Sequence, residues 1–399
     1  MKRVGVRPEN GHQTRLLRLL RDHGPRSRAE LGEAVELSKS KVAIELDRLG
    51  ELGFVDVVGL AASRGGRRSQ MVALSSGLRF IGIDIGATSI DVAVTDGELR
   101  LLGHAARPTD VREGPTVVLD QALDLVAKVR ADLGEQACDG VQGVGVGVPG
   151  PVSQREGALV APPIMPGWSH FPIRDMLGAA LGAPVMVDND VNIMALGELH
   201  AGNARNVDDV LFVKIGTGIG CGIVLGGDIH RGVTGSAGDI GHVQVDDAGP
   251  LCTCGRTGCL EAFFGGAALA RDGEAAARAG RSGWLADVLA RDGAVRALDV
   301  GAAAAAGDAV SVQLVRDGGR RLGQVLAALV SFFNPGLVVI GGGLAGLGHP
   351  LLAEIRSVVY RRSLPLATGN LPIVLSELGD SAGVVGAARL VSESVYSTT

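Results

Sequence analysis

At 399 residues the chain is too long for one ordinary compact domain, so two or three folding units are expected. Hydrophobic residues make up 46% and aromatics only 3%, so the core must be built from Val, Ile, Leu and Ala; no apolar run of about 18 residues and no N-terminal signal core occurs, so the expectation is a cytoplasmic protein with no membrane partner. The net charge of −5 is unevenly spread: residues 1–79 carry 15 Lys and Arg against 9 Asp and Glu, the remainder 23 against 34, and only the basic head is suited to a polyanion.

Three short helices are predicted in the head. The first runs from about His12 to Asp22, with Leu16, Leu17, Leu19 and Leu20 as its apolar face and Gly24-Pro25 as its stop. Ser27 and Glu30 have the spacing of a capping box that opens a second helix, its inner face formed by Leu31, Ala34 and Val35. Ser38 is the expected N-cap of a third, in which Val42, Leu46 and Leu49 form one buried stripe. That leaves Lys39, Ser40, Lys41 and Ala43 facing outward near its start. Two short helices joined by a tight turn match a helix-turn-helix. A strand follows from Gly53 to Val58 and returns from Gln70 to Leu74, and the tip between them carries Arg64, Arg67 and Arg68. This reads as a wing whose arginines suit phosphates or a narrow minor groove. A helical bundle for protein contacts explains the helices equally well, but not the arginines.

From Arg79 the sequence turns to glycine-punctuated strands, and the abundant glycine (61 residues) is expected mainly in tight turns between them. The stretch from Ile81 to Gly97 aligns, 130 residues later, with Leu211 to Gly227: strand, glycine turn, strand, second hairpin turn. Two such units suggest a duplicated α/β domain with a cleft between its lobes, although two unrelated hairpins have the same spacing. Asp84-x-Gly86-x-Thr88 places a carboxylate beside a turn suited to a phosphate, Gly216-Thr217-Gly218 offers a second such turn, and Gly342 follows the apolar strand Leu337 to Ile340. One per lobe, these turns resemble the paired phosphate loops of actin-like sugar-kinase ATPases. Val185 to Asn192 reads as a strand ending in polar groups, where a carboxylate could take the proton of an attacking hydroxyl; a solvated turn with an Asx cap is the plainer alternative.

The most specific pattern is Cys252-x-Cys254-Gly-x-x-Gly-Cys259-Leu-Glu261, preceded by Gly238-Asp239-Ile-Gly241-His242. Three cysteines and one histidine make a closed tetrahedral set suited to structural Zn2+, with no open position for catalysis. Clustered free thiols are the alternative. Cys138 and Cys221 sit in apolar surroundings and read as packing residues.

With these motifs the chain resembles the ROK family (repressors, open reading frames, kinases), in its xylose-repressor and N-acetylglucosamine-repressor branch with an N-terminal winged helix. The motifs are the Asp84 turn, Gly147-Val148-Pro149-Gly150, the Asn189-Asp190 pair, the Gly216 turn and the block from Gly238 to Glu261. The resemblance implies a winged helix-turn-helix over 1–76, a first lobe of a two-lobed actin-like (ribonuclease H-like, duplicated) sugar-kinase fold over 77–199, and a second lobe over 200–399 whose last helix returns to the first. It implies that Asn189, Asp190, Asp239, His242 and Glu261 contact a monosaccharide, His242 also binding zinc, and that Asp190 is the catalytic base in kinase members. Asp239 stands where kinases carry Glu, Ser89 and Lys214 depart from the usual residues beside the two phosphate turns, and Pro163 replaces a common Asn. The reading implied is a sugar-responsive repressor that binds palindromic operator DNA as a homodimer or tetramer. An ATP/Mg2+-dependent hexose kinase with a regulatory head is the rival, because Asp84 and Asp190 are retained.

Overall fold

The computed structural model describes residues 5–60, 69–134, 140–163 and 165–398. Arg64, Arg67, Arg68 and Cys138 lie outside these. The backbone divides into two units, one running to His200 and taken up again from Gly383, the other spanning Ala201–Ala382.

In the first unit, α1 (Gly11–His23) is capped by the Asn10 side chain, which accepts from the His12 and Gln13 amides, and is stopped by Gly24. A two-residue strand, β1 (Arg26–Ser27), leads into α2 (Arg28–Ala34), and the capping box forms: Ser27 Oγ accepts from Glu30 N at 3.2 Å and Glu30 Oε2 from Ser27 N at 2.8 Å. The third helix, α3 (Lys39–Glu51), starts at Ser38, and β2 (Val55–Leu60) pairs antiparallel with β3 (Gln70–Leu74), which also pairs with β1. Helix-turn-helix plus hairpin is a winged helix. Two details differ from the expected faces. Ala34 is exposed and Gly32 buried in its place, because α2 crosses α3 closely: a Cβ on Gly32 would lie 3.2 Å from Val42. Ala43 is half-buried rather than outward.

The next sheet consists of β4 (Arg79–Ile85), β5 (Ser89–Thr95), β6 (Leu101–Pro108), β7 (Val141–Val148) and, after the short hairpin of β8 (Val152–Ser153) with β9 (Ala158–Leu159), β10 (Val185–Asn189). Its order is β10-β7-β4-β5-β6, with β4–β5–β6 antiparallel and β4–β7–β10 parallel. Helices α4 (Pro115–Leu133) and α5 (Ile173–Leu181) supply the covering apolar side chains, and the buried Trp168 donates its indole N–H to the Val111 carbonyl at 2.9 Å. Helix α6 (Asp190–Ala201) follows β10 directly and is buried from Asp190 to Glu198, with Asp190, Asn192 and Glu198 among the enclosed side chains.

The second unit repeats the plan. Strands β11 (Val210–Ile215), β12 (Ile219–Leu225) and β13 (Asp228–Ile229) form the antiparallel part, and β14 (Leu337–Gly341) and β15 (Ile373–Leu375) the parallel part, in the order β13-β12-β11-β14-β15. Strand for strand this is the first sheet again, so the 130-residue repeat is a duplication of topology. Between β13 and β14 come α7 (Leu260–Phe264), α8 (Gly266–Arg278), α9 (Gly283–Asp292), α10 (Ala297–Ala305) and α11 (Ala309–Phe333); α12 (Gly348–Arg362) and α13 (Pro365–Thr368) precede β15. Among the described residues no single helix is long and apolar enough to cross a membrane.

The last helix, α14 (Ser381–Val395), packs within the first unit from Gly383 onward. Part of the glycine content expected in turns serves this packing instead. A Cβ on Gly145 of β7 would lie 1.7 Å from the Ala387 carbonyl, and one on Gly386 would lie 1.6 Å from that of Ile193 in α6. Backbone therefore meets backbone, and only glycine fits. The far end of α14 joins the core of the winged helix: Tyr396 is fully buried edge-on to Phe54 and Phe80, with ring centroids 6.1 and 5.6 Å away, and its hydroxyl donates to the Gly97 carbonyl at 3.0 Å.

Candidate functional sites

On the winged helix, Lys39, Ser40 and Lys41 are all exposed at the start of α3, and Ser38 Oγ caps it by accepting from Lys41 N at 3.4 Å. The helix is fixed by a residue that sequence reading passed over. Glu45 is buried and accepts from Gln13 Nε2 at 2.9 Å and Asn10 Nδ2 at 3.1 Å. Burial works to raise its carboxyl, but these two donors hold it below the ordinary range. A charge inside the apolar stripe of α3 gave no hint of this, since its partners lie 32 and 35 residues away.

In the β4–β5 hairpin, Asp84 is half-buried at the strand end, Gly86 N donates to Ser89 O at 2.8 Å, and Thr88 is exposed. The Asp84 carboxylate faces Gly383 in the first turn of α14, where a Cβ would lie 1.8 Å from Oδ2.

The Asn189-Asp190 pair sits where β10 becomes α6. Asn189 Oδ1 accepts from Val191 N at 2.9 Å and its Nδ2 donates to the Gly150 carbonyl at 3.0 Å, so it caps α6 and ties it to the Gly147–Gly150 turn. Asp190 is buried, with Oδ1 accepting from Val191 N at 2.8 Å. The Asx cap is thus present, but the turn is not a solvated one. Beneath it, the buried Asp188 accepts from Asn189 N at 2.7 Å, Asn192 Nδ2 at 2.9 Å and Gln154 Nε2 at 3.2 Å. Asp188 was missed as a positioning residue because sequence does not show its burial, and one of its donors, Gln154, is 34 residues distant.

In the second unit the turn at Gly216-Thr217-Gly218 is wrapped around a carboxylate. Glu261 Oε2 accepts from Ile219 N at 3.1 Å, and a Cβ on Gly218 would lie 2.2 Å from that oxygen. Gly216 N donates to Gly218 O at 2.9 Å, while Gly216 O accepts from Gly266 N at 2.8 Å. Gly342 adopts φ +85°, and a side chain there would meet the Ile215 backbone 2.6 Å away. The segment from Gly238 to His242 lies against β12: a Cβ on Gly238 would lie 1.8 Å from Cys221 O, and one on Gly241 would lie 2.3 Å from Ile219 O. Asp239 is exposed and caps the turn without a side-chain bond. The structure therefore brings Glu261, Gly241 and the Gly218 turn together.

His242, Cys252, Cys254 and Cys259 converge, their ligand atoms all within 4.8 Å of one another. His242 Nδ1 is 3.5 Å from Cys252 Sγ, and Cys254 Sγ is 3.7 Å from Cys259 Sγ. The loop closes because Gly255 and Gly258 take φ of +87° and +73°, the latter with the Asp246 carbonyl where a Cβ would be. Burial opposes ionisation of Cys254, but hydrogen bonds from the Arg256 backbone and side chain and from its neighbouring thiols bring it down to about 6. Three soft sulfurs and an imidazole at this spacing can hold a metal ion. Cys259 leads directly into α7, and Glu261 is the second residue of that helix, so the cluster fixes the carboxylate that the Gly218 turn encloses. Cys221 is buried in β12, burial pushing its thiol up to about 12.

A winged helix followed by two sheets of identical order, with paired glycine turns and a Cys₃His cluster, defines a regulator-like head on a duplicated, actin-like sugar-kinase fold. The sequence signature of the ROK family matches residues 80–394, and the chain belongs to that family. A crystal structure of a ROK family transcriptional regulator, a homologue of the E. coli MLC protein, is similar with a TM-score of 0.81 and 27% identity over 96% of each chain. The xylose repressor of Caldicellulosiruptor bescii is 28% identical over 388 residues, 96% of this chain and 95% of its own. A ROK family glucokinase from Streptomyces griseus, solved with glucose and AMPPNP, is 34% identical with a TM-score of 0.69, covering 78% of this chain and 98% of its own.

Proposed function

We propose that the protein is a sugar-responsive DNA-binding transcriptional regulator, a repressor of carbohydrate-utilisation genes. One observation carries the reading: the regulators match nearly the whole chain, winged helix included, whereas the glucokinase matches 78% of it and the family signature begins at residue 80. In this reading Ser38, Lys39, Ser40, Lys41, Arg64, Arg67 and Arg68 contact a palindromic operator, read by a homodimer or tetramer with one winged helix per half-site. Asn189, Asp190, Asp239, His242 and Glu261 bind the hydroxyls of a monosaccharide. His242, Cys252, Cys254 and Cys259 hold structural Zn2+, which crosslinks the loop and sets Glu261. Sugar binding changes the spacing of paired winged helices and releases DNA.

Asp190→Asn separates the two activities: it lowers affinity for the inducing sugar at least tenfold in calorimetric titration and leaves DNA affinity unchanged. Replacing Arg67 and Arg68 by Ala does the converse and flattens the salt dependence of DNA binding. If both variants bind sugar and DNA as the wild type does, these assignments are wrong.

The second reading, an ATP/Mg2+-dependent hexose kinase, is favoured by the retained Asp84, Gly86, Thr88 turn, the Gly216, Thr217, Gly218 turn, Gly342 and the base Asp190. A coupled assay over a panel of hexoses and amino-hexoses distinguishes it, since turnover abolished by Asp190→Asn would assign catalysis.

A further inference from the structure

The outward face of α3 carries one residue that the fold does not use. At 3.6 residues per turn, Val42, Glu45, Leu46 and Leu49 define the buried side, and Ser40, Ile44 and Asp47 the side opposite. Ile44 is 54% exposed at the centre of that face and takes no part in the apolar core of the winged helix. Its polar neighbours are held by short-range partners: Ser40 Oγ lies 3.2 Å from Ser38 Oγ, Lys41 Nζ 3.4 Å from the His12 ring, Asp47 2.9 Å from Arg28 and Arg48 3.4 Å from Glu9. The result is an apolar spot on a helix face edged at its N-terminal end by Lys39 and Lys41.

That pattern complements a major groove. Its edges are phosphate-lined, and the one apolar group on its floor is the C5 methyl of thymine. We infer that Ile44 is a specificity-determining residue that packs on the methyl group of one thymine in each half-site. The inference rests on the DNA-binding reading above and adds to it the base and the group on that base. Lys39 and Lys41 position the helix on the backbone and carry no sequence information. Ile44 supplies discrimination through a contact that neither charge nor hydrogen bonding provides.

The test pairs one change in the protein with one in the DNA. Full-length protein selects duplexes from a random 30-base-pair library, and each thymine of the recovered consensus is replaced in turn by deoxyuridine, which removes only the methyl. One thymine per half-site is expected at which the replacement weakens wild-type binding about fourfold, the size of one buried methyl group. Ile44→Ala binds the thymine and deoxyuridine duplexes equally, and Ile44→Val retains the preference. Because Ile44 lies outside the core, both variants keep the wild-type thermal midpoint, which is measured in parallel. Wild-type indifference to every replacement, or undiminished discrimination by Ile44→Ala, overturns the assignment while leaving DNA binding intact. Failure to enrich any duplex overturns the DNA-binding reading itself, and this inference with it.

Discussion

The cysteine cluster and the aromatic anchor act through single side chains, and both are open to direct test. Cys259 is buried at the last position before α7, two residues ahead of Glu261, and is one of the four proposed zinc ligands. Cys259→Ser is expected to abolish a one-to-one zinc content measured by mass spectrometry and to lower the thermal midpoint, as does a chelator on the wild type. Cys221→Ser keeps the metal. Equal zinc in Cys259→Ser would dismiss the site. At the other end of the molecule's sequence, Tyr396→Phe removes the bond to Gly97 and costs about 1 kcal/mol, whereas Tyr396→Ala also opens a cavity between Phe54 and Phe80 and costs about 3–5 kcal/mol, both read from urea unfolding. The cysteine cluster was legible because its ligands are local in sequence. Asp188 and Glu45 were not, since a buried carboxylate has the same letter as a surface one; both donors to Glu45, and Gln154 among those to Asp188, lie more than 30 residues away.

Between elements, α1 and α14 are joined by a polar clamp inside the first unit. The Arg21 guanidinium is buried and binds Glu393 and Asp22 at 2.8 Å each and Ser392 at 3.1 Å; Arg18 reaches Glu393 at 2.8 Å, and His200 at the end of α6 stands 3.5 Å from Asp22. Removing one partner of such a group leaves buried charge uncompensated, so Arg21→Met is expected to cost about 3–5 kcal/mol. Burial tends to raise both carboxyls, but His200 and Arg21 hold Asp22 well below its usual range, and Arg21, Arg18 and Arg389 lower Glu393. Their contribution is therefore complete above about pH 4, the unfolded value, and is lost as pH falls through the folded values beneath it. Urea midpoints recorded from pH 7 to 3 should fall for the wild type and fall less for Arg21→Met; parallel slopes would remove the clamp from the account. Helix positions and caps were readable because Ser27, Glu30 and Ser38 act within one turn. The clamp was hidden because its halves are about 370 residues apart.

At the scale of the molecule, the duplicated sheet was visible as a repeat of strand, glycine turn and strand, since that pattern is set by local chemistry. The order β10-β7-β4-β5-β6 and its copy β13-β12-β11-β14-β15 depends on non-local pairing, which local pattern does not specify. Likewise, glycines read as turns proved in part to be places where α14 lies backbone-to-backbone on β7 and α6. The same helix α14 shares the core of the winged helix through Val391 and Val395, joined by Tyr396 just beyond it, so head and first sheet belong to one compact unit. The helix α6, which begins at the proposed sugar residue Asp190 and carries His200 in its last turn, belongs to it up to His200, which gives a proposed sugar-induced shift a packed path toward α1. The central claim is tested most directly by fluorescence anisotropy of the full-length protein on a fragment from its own upstream region, titrated with D-xylose, D-glucose and amino-hexoses. The account predicts saturable, salt-sensitive binding that one sugar weakens tenfold or more, about 1.4 kcal/mol of coupling. Specific binding that no sugar alters, or no specific binding at moderate salt, would contradict it.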